Sequence, residues 1–114
     1  MICLLIESFF SDPLPIQNIE SICLNETSIQ LQWSNPLPSA SFFNIIEIKC
    51  NILNDSASID LTIHSNTTTK YVVSSLTPGT EYVCFVTLSK HVNGLVFRSQ
   101  SKSVVQTTSK RAIL

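Results

Sequence analysis

Four cysteines, at positions 3, 23, 50 and 84, are the side chains of this sequence best suited to metal binding, redox chemistry or cross-linking. No two of them form a C-x-x-C pair, so the spacing of a zinc site or a thiol-disulfide motif is missing. His64 and His91 stand apart, no G-x-S-x-G element exists, and the two glycines are too few for a loop that cradles phosphate. Asp55 and Asp60 flank a turn and a strand without metal-ligand spacing and read as solvated surface charges. Catalysis requires an acid, base or nucleophile cluster in a cleft, and no spacing here gathers one. The expectation is a chain with no catalytic residue, no metal and no cofactor.

The chemistry that the sequence does specify is modification. Three glycosylation sequons are present: Asn25-Glu26-Thr27, Asn54-Asp55-Ser56 and Asn66-Thr67-Thr68. Ser and Thr are so abundant that the number of sequons carries no weight. Their placement does, because all three fall in segments that read as turns, where an enzyme reaches the side chain and a glycan stays in water. Given secretion, at least one of Asn25, Asn54 and Asn66 is expected to carry a glycan.

Bulk properties bound the rest. At 114 residues and 12.7 kDa the chain fits one domain. Seven basic residues against eight acidic ones give a net charge of -1 with no basic cluster, so the footprint of a nucleic-acid binder is missing. Charged residues make up 13% and hydrophobic ones 44%, with a mean hydropathy of +0.27, which is apolar for a free-standing domain. Glycans, neighbouring domains or a partner are the natural cover for such a surface. The opening Met1-Ile2-Cys3-Leu4-Leu5-Ile6-Glu7 lacks a basic start, and Glu7 ends its apolar run, so residues 1–12 read as a flanking segment or truncated start, not a signal peptide. No run approaches the ~18–20 apolar residues that span a bilayer, and no membrane insertion by this segment is expected.

The elements that must position these residues are strands. No window keeps a helical period, whereas several runs alternate with period two between polar or proline-containing turns. The first strand is expected after Pro13-Leu14-Pro15, broken in the middle as an edge strand tolerates, with Ile19 and then Leu24 on the core side. In Thr27 to Trp33 the apolar Ile29, Leu31 and Trp33 face one way, with Ser28, Gln30 and Gln32 opposite, so Trp33 points inward. After the stiff loop Asn35-Pro36-Leu37-Pro38-Ser39-Ala40, the residues Ile46, Ile48 and Cys50 share a face. Ile59, Leu61 and Ile63 alternate in a further strand. Tyr71 and Val73 lead to Leu76, and Tyr82, Cys84, Val86 and Leu88 line a central strand. Asn93-Gly94 signals a hairpin, and a last strand extends to about Thr108. The expected fold is all-β: seven short strands packed as a two-sheet Greek-key, immunoglobulin-like sandwich.

The sharpest local signal is Leu76-Thr77-Pro78-Gly79-Thr80-Glu81-Tyr82. Pro78 fixes φ for a turn, Gly79 accommodates the positive φ that follows, and Tyr82 re-enters the core two positions before Cys84. A buried phenol needs a polar partner, and backbone near Leu76 supplies one in the tyrosine corner of Greek-key sandwiches. Trp33, Leu76 and Tyr82 are therefore the expected structural core.

From Pro13 to Thr108 the chain resembles a fibronectin type III domain. The family's leading proline, its Leu-like residue at Ile19, its Trp at Trp33, its Leu-x-Pro-Gly-Thr-x-Tyr corner and its Gly at Gly94 occur in order. The resemblance implies a sheet of the first, second and fifth strands against one of the fourth, third, sixth and seventh. It also implies an extracellular or cell-surface setting and service as one bead of a multidomain receptor or adhesion protein. The Ser/Thr-rich texture around Asn66 to Thr69 and Ser99 to Thr108 resembles repeats in the ectodomains of receptor-type tyrosine phosphatases. Other family motifs fail to carry over. Ser89 to Arg98 contains no Arg-Gly-Asp, and Phe97-Arg98-Ser99-Gln100-Ser101 lacks the tryptophans of the cytokine-receptor Trp-Ser-x-Trp-Ser motif.

With the third and sixth strands as antiparallel neighbours, the end of one meets the start of the other, which brings Cys50 and Cys84 to one inward face. Two readings stay open: a Cys50–Cys84 disulfide, or two buried thiols acting as small hydrophobes. An immunoglobulin-type bridge is excluded, because Ile29, Leu31 and Trp33 occupy the facing strand. Cys23 lies off the core pattern and is either free or bridged elsewhere. Val83, Phe85 and Thr87 then face outward beside Ile45, Glu47 and Lys49. Ile45, Val83 and Phe85 are expected to form an apolar patch rimmed by charge, the mark of a partner or interdomain surface. The blander reading is that Lys49 or Arg98 lies over them.

The expectation is thus a fibronectin type III domain over residues 13–108, followed by a linker over 109–114. It is a non-catalytic extracellular module for adhesion, ligand recognition or spacing, with a protein ligand or adjacent fibronectin type III domains as partners. The alternative is an accessory domain of a secreted, carbohydrate-active enzyme. The full gene discriminates the two: a transmembrane span C-terminal to Leu114 belongs to a receptor, a catalytic domain there to an enzyme.

Overall fold

The computed structural model describes residues 12–37 and 41–111. The expectations for the opening residues 1–11, for Pro38 to Ala40 of the stiff loop and for the last three residues lie outside this range.

Among the described residues, eight strands form two facing sheets: β1 (Gln17–Cys23), β2 (Ile29–Ser34), β3 (Ile45–Ile52), β4 (Ser58–Ile63), β5 (Lys70–Val73), β6 (Glu81–Val92), β7 (Leu95–Arg98) and β8 (Lys102–Thr107). One sheet runs β1-β2-β5; the other runs β4-β3-β6, with both β7 and β8 paired to the far edge of β6. Every pairing is antiparallel. The all-β immunoglobulin-like sandwich is therefore the fold, with one more strand than the sequence pattern suggests.

The extra strand arises from a bulge. Ser89 pairs with Arg98, but Val86 pairs with Lys102, so three residues of the last strand oppose two of β6. Ser99 fills the gap with its side chain: its Oγ accepts from the Leu88 N–H at 3.0 Å, while its own N–H donates to the Leu88 carbonyl at 2.8 Å. Alternation alone cannot reveal this, since a hydroxyl stands in for a ladder carbonyl. β1 carries a second irregularity between Gln17 and Glu20, where Asn18 takes a φ of 54°. The broken first strand has this physical origin.

Ile29, Leu31 and Trp33 of β2 face Ile46, Ile48 and Cys50 of β3 and Cys84, Val86 and Leu88 of β6 in one buried cluster. Burying side chains of this size contributes about 1.5–3 kcal/mol each. Ile59, Leu61 and Ile63 of β4 cover its flank, half-buried. Leu24 does not belong to it. It is 45% exposed, because Ser21 and Cys23 take the inward positions opposite Leu31 and Ile29, which turns Ile22 and Leu24 outward. Ile16, fully buried just before β1, joins the core at the opposite end of that strand.

The crossing from β5 to β6 is closed as the corner sequence implies. Leu76 and Tyr82 are each 4% exposed, Gly79 adopts φ +60°, and the Thr77 N–H donates to Tyr82 Oη at 2.9 Å. Thr108, which the sequence marks only as the end of the last strand, clamps the same turn: its Oγ1 donates to the Thr77 carbonyl at 2.7 Å and accepts from the Thr80 N–H at 3.0 Å. Tyr82→Phe removes one acceptor and leaves the Thr77 N–H unpaired at a cost of about 1–2 kcal/mol. Thermal unfolding should show Tm lowered by about 5–10 °C. An unchanged Tm would mean that the phenol contributes packing alone.

Candidate interaction surface

The outward face of the larger sheet is a set of cross-strand rows fixed by register. Glu47 lies between Thr62 of β4 and Thr87 of β6; Lys49 lies between Asp60 and Phe85; Asn51 lies between Ser58 and Val83. Beyond β6, Phe85 meets Ser103 and Val83 meets Val105. The face therefore divides into a charged, hydroxyl-rich half toward β4 and β7 and an apolar strip toward β8.

The charged half encloses a shallow groove of about 380 Å³, lined chiefly by Glu47, Lys49, Asp60, Thr62, Thr87 and Arg98. Arg98 reaches across the Thr87 row, and its Nε donates to Glu47 Oε1 at 2.8 Å, with Nη2 at 3.4 Å from Oε2. That hydrogen bond first, and the carboxylate charge second, hold the guanidinium pKa above its ordinary value. Both partners are substantially solvated, so the pair orients Arg98 more than it stabilises the fold.

The apolar strip differs from the expected patch in one member. Val83 and Phe85 are half-buried on the outer face, as their alternation with Tyr82 and Cys84 requires. Ile45 is only 8% exposed and belongs to no surface patch. Its register explains this. Ile45 pairs with Ser89, itself fully buried, and lies four residues along the strand from the level of Phe85, about 13 Å away. Its place is taken by Val105, which is 50% exposed and directly opposite Val83. Arg98 does not cover the strip, since its guanidinium is held by Glu47. Lys49, exposed, borders Phe85 from β3.

The remaining singled-out residues fall into place around this face. Trp33 is 3% exposed, and its Nε1 donates to Asn35 Oδ1 at 2.9 Å. Cys50 and Cys84 are directly opposed and fully buried, with Cα atoms 4.1 Å apart, and their sulfurs are joined as a disulfide. The link lies within one sheet, between β3 and β6, unlike a bridge across the sandwich. Cys23 is a free thiol, half-buried, with Sγ 3.2 Å from the Asn25 carbonyl and 3.1 Å from Ser109 Oγ.

Asn25, Asn54 and Asn66 are all exposed and all in turns. Asn25 Oδ1 accepts from the Thr27 N–H at 2.9 Å and from Ser28 Oγ at 2.8 Å. Asn54 sits at φ 68°, in the left-handed region that Asn tolerates. His64 and His91 are exposed, the first just past β4 and the second near the end of β6; His91 engages Asn44 through its backbone, with N–H···Oδ1 at 3.0 Å. No sequence signal marks Lys90, which is 3% exposed with its ammonium 5.1 Å from the centre of the Phe97 ring. Lysine next to a hairpin reads as surface until the pairing of Lys90 with Phe97 is known. Among the described residues, no helix is long and apolar enough to cross a membrane.

Comparison with known proteins agrees with this architecture. The family model for the fibronectin type III domain matches residues 14–107. No curated protein matches the sequence. Among solved structures, the FN5 domain of Drosophila Lar superposes with a TM-score of 0.63 at 22% identity, over 87% of this chain and 99% of that one. The fn3 domain of the human collagen alpha-1(XX) chain gives 0.74 at 15% identity, over 91% and 92%. A two-domain fibronectin type III segment of chicken tenascin gives 0.73 at 16% identity, over 85% of this chain and 51% of that one. Domains of this kind are generally non-catalytic binding or spacer modules, typically extracellular, that occur in tandem arrays and mediate protein interactions. With the corner, the buried indole, the two-sheet order and nearly the whole described chain in agreement, this chain belongs to the fibronectin type III domain family.

Proposed function

We propose that the chain is a non-catalytic module of an extracellular or cell-surface protein, contributing adhesion, ligand recognition or spacing, and that its parent is a receptor-type tyrosine phosphatase ectodomain. The module runs from Pro13 to Thr108, with residues 1–12 flanking it and residues 109–114 as linker. Its partner is a protein ligand or an adjacent fibronectin type III domain, held on the outer face of the larger sheet. The observation that carries this reading is the Val83–Phe85–Val105 strip beside the Glu47–Arg98 groove, an apolar centre with a charged rim. The Cys50–Cys84 link and three exposed sequons support an oxidising, glycosylating route, in which Asn25, Asn54 and Asn66 are acceptors.

Phe85→Lys tests the surface. The side chain points away from the core, so the circular dichroism spectrum and Tm should stay close to the parent's. Placing an ammonium in the centre of the strip should weaken binding of the parent ectodomain to its protein ligand, or of this module to its neighbour, by tenfold or more, about 1.4 kcal/mol. Unchanged association in a folded Phe85→Lys variant removes this face as the contact.

A further inference from the structure

The turn between β4 and β5 sets a sequon against an exposed aromatic ring. Phe42 is 52% exposed, and with Ser41, Phe43 and Asn66 it lines a concavity of about 40 Å³. The turn is firmly seated. Ser65 Oγ accepts from the Thr67 and Thr68 N–H groups, both at 3.1 Å, and from Thr68 Oγ1 at 2.9 Å. The Thr68 carbonyl accepts from Asn35 Nδ2 at 3.0 Å, and the Thr69 carbonyl accepts from the Trp33 N–H at 2.9 Å, which fastens the loop to the strand of the buried indole. Within this ordered frame the Asn66 carboxamide makes no hydrogen bond to any described residue and is exposed. Asn25, by contrast, spends its carboxamide oxygen on its own turn.

We propose that Asn66 carries an N-linked glycan whose first N-acetylglucosamine packs its apolar face on the Phe42 ring. The inference rests on the secretory reading above. The donor is a lipid-linked, diphosphate-activated oligosaccharide. Asn66 Nδ2 forms a bond to the anomeric carbon of the first sugar as the bond from that carbon to the diphosphate breaks. The lipid diphosphate leaves with the electron pair, and the amide gives up one proton. One face of the attached ring presents C–H groups of slight positive charge, the complement of the electron-rich face of Phe42. The concavity is bordered by Asn66, the residue from which that first sugar starts. Phe42 then ceases to be an exposed apolar ring, and the glycan becomes part of the folded surface.

The test directs the whole chain through the secretory route of a glycosylating eukaryotic cell with an added leader, then trims each glycan to a single N-acetylglucosamine. Glycopeptide mass spectrometry should find Asn66 modified. The sugar's N-acetyl and ring protons should show upfield ring-current shifts that vanish in both Phe42→Ser and Phe42→Leu, the second variant keeping apolar bulk if the first folds poorly. Removing the sugar by Asn66→Gln should lower Tm by about 3–5 °C with Phe42 present and by less than about 1 °C in Phe42→Leu. Modified Asn25 or Asn54 beside unmodified Asn66 overturns this inference alone. A modified Asn66 with sugar shifts indifferent to Phe42 overturns the packing. A secreted chain bare at all three sites brings down the glycoprotein reading as well.

Discussion

Trp33→Ala should be the most damaging single substitution in the domain, costing about 3–5 kcal/mol of stability. The indole is 3% exposed within the cluster formed by β2, β3 and β6, and close packing there leaves a cavity when the ring is removed. The change also strands polar groups. Trp33 Nε1 donates to Asn35 Oδ1, and Asn35 Nδ2 donates to the Thr68 carbonyl, so the ring is one end of a relay that holds the β4–β5 turn. Domains of this size are stable by about 5–15 kcal/mol, so the loss takes a large share of the total. With a urea slope of ~1–3 kcal/mol/M, the midpoint should fall by about 2 M. Two companions separate the contributions. Asn35→Ala keeps the ring and breaks the relay, at about 1 kcal/mol. Trp33→Phe keeps much of the apolar area but no donor and should fall between the two. A midpoint for Trp33→Ala within about 0.3 M of the parent would show that the indole is not the centre of the core.

The range of each sequence signal decided which features were legible and which were hidden. Alternation assigns a residue to a face, and for Ile29, Leu31 and Trp33, or Tyr82 to Leu88, that assignment holds because the β2–β5 and β3–β6 ladders run without a register shift. The corner was equally legible, since Pro78, Gly79 and Tyr82 act within seven positions of one another and the phenol's partner, the Thr77 N–H, is local. Ile45 shows the limit. Its parity is outward, opposite Ser89, yet facing outward at that end of β3 does not mean facing water. Leu24 failed for a different reason. Small Ser21 and Cys23 hold the inward positions, so the bulkier residues are the exposed ones and hydrophobicity points the wrong way. Thr108 and Ser99 were invisible because their hydroxyls act across the fold, on Thr77 and Leu88, and nothing in the neighbouring sequence marks a threonine as a clamp or a serine as a replacement rung. Phe42 and Asn66 are likewise distant in sequence, and neither position alone suggests the other.

Loss of the Cys50–Cys84 link should be the second large effect, and its pattern among variants is as informative as its size. The bond spans 34 residues, so in the chain-entropy account it removes about 4 kcal/mol worth of freedom from the unfolded chain. Little of that has to be spent on the folded side, because the β3–β6 ladder already sets the two residues face to face. The informative variants are Cys50→Ala, Cys84→Ala and both together. With a covalent link, either single change breaks the bond outright, and the double variant should be nearly as stable as each single, all lower than the parent by about 2–4 kcal/mol. With two independent buried thiols, each change removes one small apolar group, costs about 1 kcal/mol, and the two costs add. Urea midpoints of the four proteins decide between these patterns. Alkylation gives a direct chemical check. In denaturant without reductant, protein from an oxidising compartment should take label at Cys23 but not at Cys50 or Cys84, and both should become reactive once reduced. Label at all three before reduction, together with additive losses, would leave the pair as packing sulfurs and take away one of the two supports for an extracellular setting.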